Sequence, residues 1–197
     1  MKTALSLVTL VACLSGCTVH HAIRGNLNVP KTTVAAKIPL RVGLYMSPNF
    51  RKDTFFAVMT IHEVHLGEGM SRGAEKACRA AFEEVVLLEE EQTDLTKWNL
   101  DAVIHPVITE RSVRLIGGLT YSCSMNAKWT IIDLDGNILY VNSFPGEHII
   151  KAPTSDIWTK CMTSAVEEHY EKLLSHLLSV NWWEDLKERN RSGSTRQ

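Results

Sequence analysis

The stretch from residue 101 to residue 150 most constrains how this chain can fold. DAVIHPVITERSVRLI (101–116), LTYSCSMNAKWTIIDL (119–134) and NILYVNSFPGEHII (137–150) are rich in β-branched and aromatic residues. Apolar and polar residues alternate along much of their length, the period-two mark of half-buried strands. Gly117-Gly118 separates the first two runs, and Asp135-Gly136, a strong hairpin signal, separates the last two. Strands joined by such short turns must form an antiparallel meander. Pro106 has no amide to donate, which predicts an edge position or a bulge there. Thr154-Ser155-Asp156 then offers helix-capping side chains. Beyond it Trp158, Cys161, Met162, Ala165, His169, Leu173, Leu177 and Val180 lie close to one helical stripe, and the helix runs to about Leu178.

Upstream the signals are shorter. LRVGLYMS puts Leu40, Val42, Leu44 and Met46 on one face of a strand, and FFAVMTIHEVHL (55–66) reads as a second strand. From Ser71 onward Ala74, Ala77, Cys78, Ala81, Phe82 and Val85 recur at helical steps. VVLLE (85–89) reads as a short buried strand, and EEEQTDLTKWN as a polar connection with Trp98 as an anchor. The order β-β-α-β-β-β-β-α predicts an α+β domain over 38–186. Its sheet is mostly antiparallel, of about five to six strands, with two main helices on one face. Residues 187–197 (KERNRSGSTRQ) have too little apolar content to pack and read as a disordered tail.

The amino terminus carries a different message. Lys2 precedes an apolar run, Ala4 to Leu14, of about 11 residues, where a membrane-spanning helix needs about 20. A charged start, a short apolar middle and small residues before a cut make a signal peptide. Leu14-Ser15-Gly16-Cys17 resembles the lipobox of bacterial lipoproteins. That resemblance implies cleavage between Gly16 and Cys17, lipidation of the Cys17 thiol, and acylation of the new amino group. It assigns 1–16 to the leader and makes Cys17 the lipidated N-terminus of 17–37, whose polar, mixed residues with Gly25 and Pro30 read as a tether, free or partly ordered against the domain. Thr18, where an aspartate would retain the protein at the inner membrane, implies the outer membrane, facing the periplasm. Cys13, which lacks a small-residue pair before it, leaves with the leader.

The domain also has a resemblance. IPLRVGLYMSPNFR, the Gly67-Glu68-Gly69 entry to a helix, AFEEVVLLE, DAVIHPVI and WTIIDLDGNILY are similar, in that order, to segments of a group of poorly characterised periplasmic lipoproteins. The layout resembles lipoprotein domains that assist envelope machines. The resemblance implies a binding or scaffolding role in envelope assembly; the alternative is a lipid-handling or transport auxiliary protein with an apolar cleft.

Chemistry is harder to find. The 197 residues carry a formal charge of −1, with the signs mixed, which argues against nucleic acid as a partner. An extracytoplasmic address permits disulfides. Cys78 and Cys161 fall on the apolar sides of their helices and are expected as buried thiols, with one bridge, through Cys123, as the alternative. His62 and His65 are three apart, so on a strand they point to opposite faces and could share an ion only if the strand broke there. His20 and His21 sit in the tether, a flexible pair and a poor site. His105, His148, His169 and His176 are scattered. No nucleophile elbow is present, and Cys78 and Cys161 have no recognisable base beside them. No catalytic, cofactor or metal site is expected, and the chain is expected not to be an enzyme. Its partners are expected to be the membrane, through the lipid, and an envelope protein or a second copy. Trp182-Trp183 after the last helix is expected to pack back on the domain, to sit at a lipid interface or to anchor a partner, and with Phe50, in a loop expected to be exposed between the first two strands, it supplies the candidate contact residues.

Overall fold

A computed structural model of the chain describes residues 18–23, 27–31, 34–57, 62–90, 95–151, 156–184 and 186. Gly16, Cys17 and the 187–197 tail lie outside them. The strands are β1 (Val19–Ala22), β2 (Ile38–Tyr45), β3 (Thr54–Phe56), β4 (His62–His65), β5 (Phe82–Leu88), β6 (Ala102–Gly117), β7 (Thr120–Ile132) and β8 (Ile138–Lys151). The helices are α1 (Pro48–Arg51), α2 (Gly67–Ala81) and α3 (Ile157–Ser179), with a 3-10 turn at Leu95–Trp98. A five-stranded sheet runs β5-β2-β6-β7-β8, and a three-stranded sheet runs β1-β4-β3. The fold is α+β, as the residue pattern requires.

The meander forms where the alternation places it, with β6 antiparallel to β7 and β7 to β8. Asp133 shapes the second turn. Its Oδ1 accepts from the amides of Asp135 (3.0 Å) and Asn137 (2.8 Å), and Gly136 takes a φ of 83° that a side chain would resist. Pro106 is tolerated because β2 pairs with β6 only from Ala102 to Ile104, so that edge is already open at the proline. The other half of the sheet is parallel: β2 pairs in parallel with both β5 and β6. Alternation cannot report strand direction, and the crossover through α2 sets it here.

The core lies between this sheet and α3. Every second residue of β7 (Cys123, Met125, Ala127, Trp129, Ile131) is buried, facing Met162, Ala165, Val166, Tyr170, Leu173 and Leu177 of the helix. Cys123 and Cys161 form a disulfide with a Cα–Cα distance of 5.8 Å, so the bridge outlined as the alternative is the one present, and Cys161 is not a free thiol. Cys78 is a buried thiol, pushed up to about 12 by burial and therefore inert. His169 is fully buried. Its Nε2 accepts from the Trp129 indole N–H (3.1 Å) and its Nδ1–H donates to the Phe144 carbonyl (2.6 Å), which suits the neutral ring. Two glycines permit close approach to α3, one from β8 and one from α2. A Cβ on Gly146 would drive into the Ala165 carbonyl, and one on Gly73 into the Tyr170 ring.

Several expectations need correction. Residues 18–37 are not only a tether: β1 joins a sheet, and Ile23, Leu27 and Val29 are buried in the core. Residues 55–66 are not one strand; β3 and β4 pair antiparallel with each other. Trp98 does not anchor its loop but is exposed. Phe50 is a core residue and not an exposed contact. Ser47 Oγ accepts the Phe50 amide at 3.2 Å and Pro48 sits in the first turn, so a short helix forms and turns the ring inward.

Candidate functional site

The densest collection of chemically capable side chains lies on the ribbon made by β1 and β4. The two strands are parallel, with Val19 opposite His62, His20 opposite Glu63, His21 opposite Val64 and Ala22 opposite His65. Side chains alternate along each strand, so the register sorts them into two faces. His62 and His65 do point apart, as the spacing implies. The convergence comes from across the strands.

On the outer face His20, Glu63 and His65 meet. His20 Nδ1 is 3.1 Å from His65 Nε2 and 2.9 Å from Glu63 Oε2, which in turn is 3.5 Å from His65 Nε2. His20 is 60% exposed and Glu63 20%, so the cluster opens to solvent. On the inner face His21 Nε2 lies 2.9 Å from His62 Nδ1. Both rings pack on Trp158, with centroids 6.2 and 5.2 Å away, and Trp158 meets Tyr121 edge-on at 4.6 Å. Burial lowers the His21 pKa, and neighbouring His62 and His20 lower it further, so His21 favours its neutral form.

The aromatic contacts lead from β1 to the β6–β7 hairpin. Its tip exposes Leu115, Ile116 and Leu119 around Gly117-Gly118, an apolar end on a solvent-facing turn. Periodicity reading passes over these residues because a strand is expected to be apolar; only the turn position marks them as exposed. Near this arm Arg111 Nε sits 2.9 Å from Asp53 Oδ2, an ion pair without hydrogen-bond alignment. Burial raises the Asp53 pKa and Arg111 opposes the rise.

Trp182 and Trp183 pack back against the domain and stay partly exposed. Trp182 meets Phe82 and Tyr140, and its indole nitrogen is buried without a hydrogen-bond partner among the described residues. A groove of about 410 Å³ runs between the segment before β2 and α3, lined by Pro30, Val34, Ala35, Leu174 and Leu178, with Glu171 at its wall.

These features sit on a layered α+β fold with helices on one face of a mixed sheet. The chain shares that fold with protein XCC0632 of Xanthomonas campestris, of family DUF330. The TM-score is 0.54 and the identity 8%, over 88% of this chain and 99% of that one. Weaker likenesses are to PelC from Paraburkholderia phytofirmans, which forms a dodecamer (TM-score 0.43, 14% identity, 74% of this chain and 95% of that one), and to lipoprotein GNA1162 from Neisseria meningitidis (0.36, 14%, 71% and 96%). No protein-family model and no curated protein matches the chain.

Proposed function

We propose that the protein is a non-enzymatic lipoprotein of the bacterial envelope, anchored through Cys17 to the outer membrane and facing the periplasm. The observation that carries this reading is the Leu14-Ser15-Gly16-Cys17 motif behind a charged, short apolar leader. The Cys123–Cys161 disulfide supports it, because such bonds persist in oxidising compartments. Among the described residues no helix is long and apolar enough to cross a membrane. Its work is binding or scaffolding within an envelope assembly. The contact surfaces are the apolar β6–β7 tip and Trp182-Trp183; the partner is an envelope protein or a second copy of the chain.

Palmitate labelling and membrane fractionation test the anchor. Both should depend on Cys17, and a lipidated, membrane-bound Cys17→Ser product would sink the reading. Photo-crosslinkers placed at Ile116 and at Trp183 should capture a defined envelope partner in intact cells, whereas one on the solvent face of α2, at Glu75, should not.

The groove beside Leu174 favours a second reading, a lipid-handling or transport auxiliary role, since its volume falls in the range of ligand sites. Native mass spectrometry after gentle extraction should then find a bound lipid that Leu174→Glu releases.

A further inference from the structure

We infer that His20, Glu63 and His65 form a binding site for a first-row divalent metal ion of the Zn2+ class, which staples β1 to β4. This goes beyond the proposed function and does not depend on the lipid anchor.

Half of the chain's eight histidines stand on two four-residue strands. Two histidines elsewhere have ordinary surroundings. His169 lies between an indole N–H and a carbonyl, and His176 lies between the Tyr140 hydroxyl (3.0 Å) and the Asn142 amide (3.2 Å). The outer face of the ribbon differs: one nitrogen from each of two imidazoles and one carboxylate oxygen gather within 4.8 Å of one another. A proton on His20 Nδ1 can serve Glu63 and His65 only by being shared. A cation at that point takes a lone pair from each of the three.

The dimensions fit an ion. Zn–N and Zn–O bonds of about 2.0–2.1 Å in a tetrahedron separate the ligand atoms by about 3.3 Å. The three observed separations, 3.1, 2.9 and 3.5 Å, bracket that value. Backbone pairing holds the donors in place. Glu63 and His65 are two apart on β4, the centre strand of its sheet, so they share a face, and His20 is the register partner of Glu63. Two imidazoles with one carboxylate suit Zn2+, Ni2+ or Cu2+ and not the oxygen-seeking Ca2+ or Mg2+. The exposure of His20 leaves the fourth position to water or to a donor from a partner. Among the described strands β1 pairs with β4 and no other, so an ion here would add a crosslink to an edge strand.

The test is a Zn2+ titration of the full chain, stripped with a chelator and competed against a chromophoric chelator. One equivalent should bind at micromolar concentration or below. His20→Ala and His65→Ala should each weaken binding by at least about tenfold, the scale on which even outer-shell partners count. Glu63→Gln, which keeps the shape, should also weaken it, and His148→Ala should not. Circular dichroism checks that each variant is folded. Hydrogen exchange should show Zn2+ slowing the amides of residues 19–23 in the native chain and not in His65→Ala. Absence of saturable binding overturns the inference. So does binding that survives both His20→Ala and His65→Ala, or binding lost only in His21→Ala and His62→Ala, which would put the ion on the other face.

Discussion

Around α3, the buried indole and the disulfide from β7, the buried histidine of the helix itself, and close-fitting glycines on β8 and α2 bring the sheet and the two long helices into close contact. Between β1 and β4, four residue pairs meet, and half of the eight side chains involved are imidazoles. The first region removes apolar surface from water and has few ways to rearrange. The second keeps polar donor atoms at the solvent boundary, where they can change partners. A protein that needs a rigid body and a responsive edge can be made by separating the two in this way.

The largest effect expected from breaking the rigid region is that of Trp129→Ala. Loss of the ring and of the donor to His169 should cost about 3–5 kcal/mol in urea unfolding; a loss under about 1 kcal/mol would mean that the β7–α3 contact is not the core. Reduction of Cys123–Cys161 should come next, at about 2–4 kcal/mol, because it frees a chain loop of 38 residues in the unfolded state. Comparing melting with and without reductant measures it.

Acid should act through His169. Burial lowers its pKa from 6.5 to about 4, while the Phe144 hydrogen bond opposes the shift. The unfolded chain therefore takes up this proton near pH 6.5 and the folded chain only near 4. Between those values the unfolded state holds more protons, so stability falls as pH falls, by up to about 3 kcal/mol. Below about pH 4 the group contributes no further slope. His169→Gln should flatten that window; an unchanged slope would assign the acid response elsewhere.

Gly73→Ala should cost about 1–3 kcal/mol, as a methyl forced against Tyr170 displaces α2 from α3. Thermal unfolding reads it directly. The smallest effect belongs to the ribbon. His20→Ala in chelator-treated protein should change stability by less than about 0.5 kcal/mol, as for other exposed positions. If it cost as much as the glycine substitution, the two regions would not differ as described.

The strong half of the molecule was legible because its periods are long. β6, β7, β8 and α3 carry enough repeats for alternation and helical spacing to place their ends within a few residues. β1 was not legible: VHHA has one apolar residue at each end and pairs with a strand more than 40 residues away. The 55–66 run hid a hairpin because apolar residues continue through it, and α2 starts at Gly67 and not Ser71 because its first turn lies against the backbones of Arg51 and Ile23, where only glycines at 67 and 69 fit. Spacing within β4 correctly kept His62 from meeting His65. It could not show that His20 arrives from another strand. Phe50 turns inward because Ser47-Pro48, which looks like a loop in the sequence, caps a short helix, and the exposure of the hairpin tip depends on where a strand turns, which alternation does not report.

The position of β1 has a mechanical consequence. If the chain is held at Cys17, any pull on the domain reaches β1 first, through Thr18 alone. The four-pair parallel ladder and the buried Ile23, Leu27 and Val29 that follow it bear that load first, whereas the 123–161 crosslink lies far down the chain. β1 would therefore yield before the large sheet does. Peeling of residues 18–37 would release up to about 70 Å of chain at 3.3–3.6 Å per residue. The protein would then stand close to its membrane at rest and extend away from it under tension, with a bound ion setting the force at which it lets go.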